Sequence, residues 1–159
     1  MALFIDPPAW PAHGTLWSHL VSDSSYEELH LFARATGLPR RGFDLDHYDV
    51  PAHRYADLVA AGATAVEGRE LLARLRASGL RVPHPDRPAE TRRRGRLELR
   101  RSWEDLAPGP AEPGWTALGD ELLRRWSEPH RRYHDTTHLH AVLLDLDHLA
   151  DLGEPVATE

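Results

Sequence analysis

The chain has 159 residues, of which 41% are hydrophobic and 28% are charged, and its formal net charge is −6. This composition allows a buried core, but it argues against general nucleic-acid binding, which depends on clustered cations. The absence of cysteine excludes disulfides and zinc–thiolate sites, so any metal needs histidine and carboxylate ligands. No stretch approaches the roughly 20 apolar residues of a membrane span. Because the start also lacks the basic segment of an export signal, we expect a cytoplasmic protein without a membrane partner.

Strands and helices are predicted to alternate over residues 1–80. Leu3–Ile5 and Thr15–Val21 are typical of buried strands, and alternation in the second strand puts His19 on the same face as Trp17. Three amphipathic helices follow, each bounded by start and stop signals: a serine capping box and Gly37, Pro51 and Gly62, and Gly68 and Gly79. If residues 42–44 add a strand, the order β-β-α-β-α-β-α predicts a small layered α/β domain.

Residues 81–96 are rich in arginine and proline, and we predict a linker there. The segment from Arg81 to Arg101 contains eight arginines and three acidic residues. The net charge is −3 over residues 1–80, +5 over residues 81–102 and −8 over residues 103–159. A solvated tether is the expected role, because arginines without interleaved aromatic residues are a weak nucleic-acid signal. We expect no nucleic-acid partner unless this segment provides the binding surface, and a nucleic-acid-binding adaptor is one alternative function.

Residues 97–159 are predicted to form an incomplete all-α segment. Apolar residues recur every three or four positions, with helices expected over Leu97–Leu106 and Trp115–Ser127 and a last helix capped by Thr136 or Thr137. Two or three such helices cannot bury all of their apolar faces by themselves. The exposed apolar faces therefore predict self-association.

Polar side chains concentrate in Asp44–Asp49, just before a predicted helix. Three carboxylates, an imidazole and a phenol occur within these six residues. In an extended segment His47 and Asp49 share one face while Tyr48 points to the other. Joined by His19 and Asp6 from neighbouring strands, they would form an imidazole–carboxylate set for general acid–base catalysis or a divalent metal. A structural polar cluster before a helix is the alternative.

These patterns define the candidate site. The predicted catalytic residues are His19, His47, Asp49 and Tyr48, and the candidate ligands of a divalent metal cofactor are Asp6, His19, His47 and Asp49. Arg41 and Trp17 are candidate substrate-binding residues, because a guanidinium can hold an anionic group bidentately. Internal pairing of Arg41 with a neighbouring aspartate remains open. The resulting prediction is a hydrolase-like enzyme for a small anionic molecule, and the alternative is a non-catalytic ligand-binding or regulatory module.

Several spaced motifs also indicate a family. They are Phe4-Ile5-Asp6, Trp10-Pro11, Trp17-Ser18-His19-Leu20, Asp46-His47-Tyr48-Asp49, and Ala60-Ala61-Gly62-Ala63 before Arg69-Glu70-Leu71. In these motifs, residues 1–80 resemble domain-of-unknown-function family 4031. The resemblance implies no established activity, so the functional prediction depends on the residues themselves.

A second histidine cluster occurs near the end of the sequence. His134 and His138 would share a helix face, although two such histidines are more often solvated than ligands. The run from Leu122 to His134, followed by His138-Leu139, resembles the amino-terminal part of the HD superfamily of metal-dependent phosphohydrolases. The resemblance implies that His138 is the first metal ligand and that the His-Asp pair and distal Asp are expected beyond Glu159. It therefore implies a truncated, non-functional site in residues 97–159.

Overall fold

A computed structural model describes residues 2–107, 114–151 and 153 of the chain. The chain divides into two compact units, Met1–Pro83 and His84–Glu159. The first unit has a mixed α/β fold and the second is helical. The predicted fold class, a small α/β domain followed by a helical segment, is confirmed.

Over its described residues, the first unit contains six short strands and three α-helices. The strands are β1 (Leu3–Ile5), β2 (Trp10–Ala12), β3 (Thr15–Ser22), β4 (Phe43–Asp44), β5 (His47–Pro51) and β6 (Thr64–Ala65). The helices are α1 (Tyr26–Ala35), α2 (Ala52–Ala60) and α3 (Gly68–Ala77). The observed order contains two strands more than predicted, because Trp10–Ala12 pairs with β3 and the polar segment before α2 is extended.

One sheet contains all six strands. Its order is β4-β5-β3-β1-β6, and β2 also pairs with β3. Only the pairing of β1 with β6 is parallel. The long strand β3 therefore lies between β1 and β5, and side chains from all three strands are neighbours on each face of the sheet.

The two faces of the sheet are covered differently. On one face, Ile5, Leu20, Tyr48 and Val50 pack against apolar side chains of α1 and α2 in the main core. On the other face, Phe4 and Val21 pack with Leu71 and Leu75 of α3. Because successive side chains of a strand alternate, the residues between the core positions of β3 and β5 point to the α3 face.

The helix boundaries follow from local signals in the sequence. Ser25 caps α1, since its hydroxyl accepts the backbone N–H of Glu28 at 3.1 Å. Pro51 precedes α2, and Gly37 adopts φ +73° just after α1, a conformation that favours glycine. These observations agree with the predicted helix starts and stops.

The described part of the second unit contains the helices α4 (Arg87–Asp105), α5 (Trp115–Trp126) and α6 (Thr136–Asp151). The rings of Trp103 and Trp115 stack at 4.2 Å, and each indole N–H donates to the backbone carbonyl of the other tryptophan at 2.9 Å. A Cβ at Gly119 would lie 2.4 Å from Trp103, so only glycine permits this approach of α5 to α4.

The linker predicted over residues 81–96 is mostly helical, because α4 already begins at Arg87. Pro88 lies in the first turn of α4, where a missing N–H costs no hydrogen bond. Glu90 pairs with Arg93 and Arg94 along the helix, and Leu99 is buried. The arginine and proline content predicted a linker, but ion pairs and the burial of Leu99 stabilise a helix in this part of the chain.

Apolar side chains remain exposed on the second unit. They include Leu97, Leu118, Leu122, Val142, Leu146 and Leu149. This exposure agrees with the apolar faces on which self-association was predicted, and self-association itself stays a prediction. Within the described part of the chain, no helix combines the length and apolar character needed to cross a bilayer.

Candidate metal centre

His19, His47 and Asp49 converge on the α3 face of the sheet. In the pairing of β3 with β5, His19 lies directly opposite Asp49, and His47 is two residues from Asp49 along the same strand. Alternation sends all three side chains to one face, as the sequence predicted. Two strands that are distant in the sequence thus bring two imidazoles and a carboxylate together.

The distances within this cluster suit a common ligand. The rings of His19 and His47 are 5.0 Å apart between centroids, and His47 Nε2 lies 3.2 Å from Asp49 Oδ1. One potential ligand atom from each of the three residues lies within 4.8 Å of the other two. The side chains of His19, His47 and Asp49 are 26%, 13% and 44% exposed, so a small molecule can reach the cluster from solvent.

Asp6 fixes the orientation of His19. Its Oδ2 lies 3.1 Å from His19 Nδ1, and its Oδ1 accepts the backbone N–H of His19 at 2.5 Å. A Cβ at Gly68 would lie 3.4 Å from Asp6 Oδ2, so the start of α3 adjoins this carboxylate. The positive end of a helix favours an anion there. With Nδ1 engaged by Asp6, Nε2 is the ring nitrogen of His19 left to bind a ligand.

Asp46 fixes the orientation of His47 in a similar way. Its Oδ1 lies 2.7 Å from His47 Nδ1, and the side chain is fully buried. The other oxygen accepts the backbone N–H of Val82 at 2.7 Å and the guanidinium of Arg81 at 2.9 Å. Asp46 follows Leu45, which adopts φ +62° in the turn between β4 and β5. The segment after α3 therefore completes the support of His47.

The electrostatics of this network favour a charged pair. Burial lowers the pKa of His47, but hydrogen bonds and charge attraction from Asp46 and Asp49 outweigh it and raise the pKa to about 9. Burial raises the pKa of Asp46, but hydrogen bonds from His47 and Val82 and the nearby positive charges outweigh it and lower the pKa. Without a metal, His47 is therefore an imidazolium between two carboxylates at neutral pH.

The donor set fits a divalent metal of borderline softness. Two imidazole nitrogens and one carboxylate oxygen are typical ligands of catalytic zinc, and three protein ligands leave a position for water or substrate. In such sites each histidine usually donates its other ring N–H to a carboxylate or carbonyl. His19 with Asp6 and His47 with Asp46 both follow this pattern.

Two of the predicted roles require correction. Tyr48, a predicted catalytic residue, is 1% exposed in the main core, and its hydroxyl lies 2.9 Å from His30 Nδ1. Its position on β5 between His47 and Asp49 sends it to the opposite face. Asp6, a predicted metal ligand, instead bonds to the ring and backbone of His19, so both of its carboxylate oxygens are already engaged.

The predicted substrate-binding residues lie on two different elements. The indole N–H of Trp17 donates to the carbonyl of Ala12 at 2.9 Å, which fixes the ring beside the β2–β3 turn. Arg41 is exposed in the 3₁₀ turn Arg40–Gly42. This turn adjoins β5, since a Cβ at Gly42 would lie 3.6 Å from the carbonyl oxygen of Asp49. Substrate binding by either residue stays a prediction.

The second histidine cluster has a different geometry. The rings of His134 and His138 are 5.1 Å apart, but both side chains are exposed. Asp135 caps α6 in place of the predicted threonines, because its Oδ1 accepts the backbone N–H of His138 at 2.9 Å. Among the residues that the structure describes, His138 belongs to no group of three potential metal ligands.

Three residues of the first site had no predicted role there. Asp46 and Arg81 are separated by 35 positions in the sequence, and only the fold brings them together. Trp10 is 60% exposed, and its ring lies 5.8 Å from that of His19. A weak signal for Asp46 existed, because it directly precedes His47 in the polar segment.

Residues 3–78 match the model of a family described as protein of unknown function (DUF4031). The match confirms the resemblance predicted for the first part of the chain. It includes both histidines, Asp49 and the supporting Asp6 and Asp46, whereas Arg81 lies just outside it. No curated protein and no solved structure matches the chain. The resemblance of residues 97–159 to the HD superfamily stays a prediction.

Proposed function

We propose that the first unit binds one divalent transition-metal ion through His19 Nε2, His47 Nε2 and Asp49 Oδ1, and that it hydrolyses a small anionic substrate at this ion. The observation that carries the proposal is that His19, His47 and Asp49 each place one potential ligand atom within 4.8 Å of the other two. Carboxylates engage the Nδ1 atoms of both imidazoles, at 3.1 Å for His19 and 2.7 Å for His47. A solvated polar cluster needs no such paired orientation of its histidines.

The composition of the ligand set favours Zn²⁺ over Mg²⁺ or Ca²⁺. The latter two prefer oxygen ligands, whereas imidazole suits zinc and the neighbouring first-row metals. Because His47 is protonated when the site is metal-free, binding an ion at neutral pH requires the release of its proton. Metal affinity should therefore increase as the pH rises.

The proposed reaction assigns separate roles to the residues of the site. A bound divalent ion would supply a water of lowered pKa and polarise an oxygen of the substrate. His19, His47 and Asp49 would hold that ion, while Asp6 and Asp46 would keep both imidazoles oriented. Arg41, exposed on the turn beside β5, is the candidate for binding an anionic group of the substrate.

The test is turnover of chromogenic phosphate and carboxylate esters by the full chain, with Zn²⁺, Mn²⁺ or Co²⁺ added after chelation. We expect metal-dependent hydrolysis that falls by more than about 100-fold in His47→Ala, because the ligand set is then incomplete. His53→Ala is the matched control, since His53 is an exposed histidine on α2. Metal-independent turnover, or equal losses in both variants, would refute the proposed reaction.

A second candidate is a ligand-binding or regulatory module without catalysis. It is favoured by the charge balance of the metal-free cluster, in which the His47 imidazolium already lies between Asp46 and Asp49 at 2.7 and 3.2 Å. Such a network of ion pairs stabilises the fold whether or not the site is catalytic. Saturable binding of a metal or an anion, with no turnover of any ester in the panel, would identify this function.

A further inference from the structure

A cleft in the second unit has no role in the proposed hydrolysis. It lies between α4, the turn after α5 and the start of α6, and its volume is about 540 Å³. Four arginines line it: Arg92, Arg93, Arg96 and Arg131. We call it the arginine cleft. Its volume is within the usual range for pockets that bind small molecules.

Two of these arginines have no partner in the described part of the chain. Arg92 and Arg96 are one helical turn apart on α4, so their side chains leave the helix on the same side. Neither forms an ion pair or hydrogen bond with the residues that the structure describes. Arg93 differs, because it pairs with Glu90 at 2.6 Å. Two guanidinium groups are thus available to an anion on one wall.

Arg131 faces the cleft from the segment before α6 and is held in place. Its Nε donates to the backbone carbonyl of Arg125 at 2.7 Å, and its guanidinium lies 5.5 Å from the ring centre of Trp126. These contacts leave the terminal nitrogens of Arg131 as donors. A guanidinium that is already positioned loses less conformational entropy when it binds a ligand.

The start of α6 adds uncharged donors to the same cleft. Thr136 and Thr137 line the cleft, and α6 begins at Thr136. The amino terminus of a helix of this length favours anions. It supports the guanidinium groups and would not define a site without them.

Two carboxylates also line the cleft and reduce its positive charge. Glu128 pairs with Arg124 at 3.5 Å and His130 at 3.7 Å, and Asp135 caps α6. Both carboxylates are therefore engaged by other groups. Arg93 is paired with Glu90, but the guanidiniums of Arg92, Arg96 and Arg131 still leave the cleft positive, although residues 103–159 have a net charge of −8.

We propose that the arginine cleft binds the phosphate group of a small phosphorylated molecule. Guanidinium groups bind phosphate bidentately, and several of them can share its oxygens. A nucleic-acid strand is disfavoured, because the strongly acidic remainder of the second unit would repel an extended polyanion. The concave shape and the local positive charge select a compact anion.

The test is calorimetric titration of the full chain, kept in chelator so that no metal in the first unit can bind the probe. The probes are inorganic phosphate, phenyl phosphate and a single-stranded oligonucleotide without terminal phosphates. We expect saturable binding of the first two at one site per chain. The double variant Arg92→Gln/Arg96→Gln should weaken binding about 100-fold, or about tenfold for each charge-assisted contact.

Arg101→Gln is the matched control, because Arg101 is an exposed arginine of α4 that does not line the cleft. We expect its affinity for phenyl phosphate to equal that of the wild type. Equal weakening in both variants would overturn the proposal, as would wild-type protein that binds neither phosphate saturably. Binding of the oligonucleotide in preference to phenyl phosphate would overturn it in favour of a nucleic-acid surface. Because metal is absent, these outcomes do not depend on the proposed hydrolysis.

Discussion

The two units each contain a histidine pair at similar ring separation, yet the surroundings of the pairs differ. The rings of His19 and His47 are 5.0 Å apart, and those of His134 and His138 are 5.1 Å apart. The first pair comes from two strands and is supported by two buried aspartates. The second pair comes from the bend before α6 and the first turn of α6, and it is exposed.

This difference shows that ring separation alone does not distinguish the candidate metal centre from a pair of exposed histidines. Histidines four residues apart come together through local sequence alone, and solvent can satisfy both rings. A histidine pair from two strands depends on how the whole sheet is assembled. The orientation of each imidazole also requires a fixed hydrogen-bond partner for the ring nitrogen that does not bind the ligand. The supporting carboxylates, more than the histidines themselves, distinguish the first cluster from the second.

The largest expected effect is on metal affinity. Replacing His19 with alanine removes one of the three proposed ligands. Loss of a residue that only hydrogen-bonds to a ligand typically lowers metal affinity by about ten- to 100-fold, so we expect Zn²⁺ affinity to fall by more than about 100-fold. His134→Ala should leave the affinity within experimental error. Competition with a fluorescent chelator measures both. The comparison between the two clusters fails if His134→Ala causes the larger loss.

Asp46 and Asp135 provide a comparison of a fully buried and a half-buried carboxylate. Asp46→Asn removes a fully buried charge that holds His47, Arg81 and the Val82 amide, and we expect a loss of about 3 kcal/mol in unfolding free energy. Asp135→Asn changes a half-buried helix cap to another residue that can cap, and it should cost less than about 1 kcal/mol. Urea unfolding measures the difference. Equal destabilisation would show that Asp46 has no special structural role.

The pH dependence of stability tests the charge state of His47. Its pKa is about 9 in the metal-free fold and 6.5 as the unfolded reference. Because folding raises the pKa, the stabilisation is fully present below pH 6.5 and is lost as the pH rises through 9. The loss should be at most about 3 kcal/mol.

Thermal unfolding of chelator-treated protein between these pH values measures this loss. His47→Gln should remove most of the pH dependence, while His134→Gln should keep it. A wild-type stability that is constant over this window, or a His47→Gln profile identical to the wild type, would contradict the assigned pKa.

The smallest expected effect concerns the supporting hydrogen bond of His19. Asp6→Asn preserves the size of the side chain but weakens its bond to His19 Nδ1, so we expect Zn²⁺ affinity to fall by about ten- to 100-fold. Glu98→Gln alters a similar carboxylate–imidazole contact in the second unit, at 2.6 Å from His140. This control should leave the affinity unchanged. An Asp6→Asn affinity equal to that of the wild type would show that Asp6 does not orient a ligand.

Much of the first unit was predictable because its signals are local. Serine caps, glycine stops and period-two alternation set the helices and the shared face of His19 with Trp17 and of His47 with Asp49. The contact of Asp46 with Arg81 was not predictable, because it depends on how the chain after α3 packs against the turn between β4 and β5. Tyr48 was assigned to the site by proximity in sequence, although alternation already placed it on the other face.

The second unit shows where composition misleads. Proline and arginine content predicted a linker, but Pro88 lies in the first turn of α4 and arginine–glutamate pairs stabilise the helix. Because the segment is helical, Arg92 and Arg96 project to one side and line a cleft. A tether would leave them dispersed.

Zinc K-edge X-ray absorption of the full chain with one equivalent of Zn²⁺ tests the central claim most directly. We predict two imidazole nitrogens at about 2.0–2.1 Å and a carboxylate oxygen at about 2.0–2.2 Å, with one imidazole lost in His47→Ala. A spectrum of the hydrated ion, or an imidazole signal unchanged in His47→Ala, would contradict a metal centre at His19, His47 and Asp49.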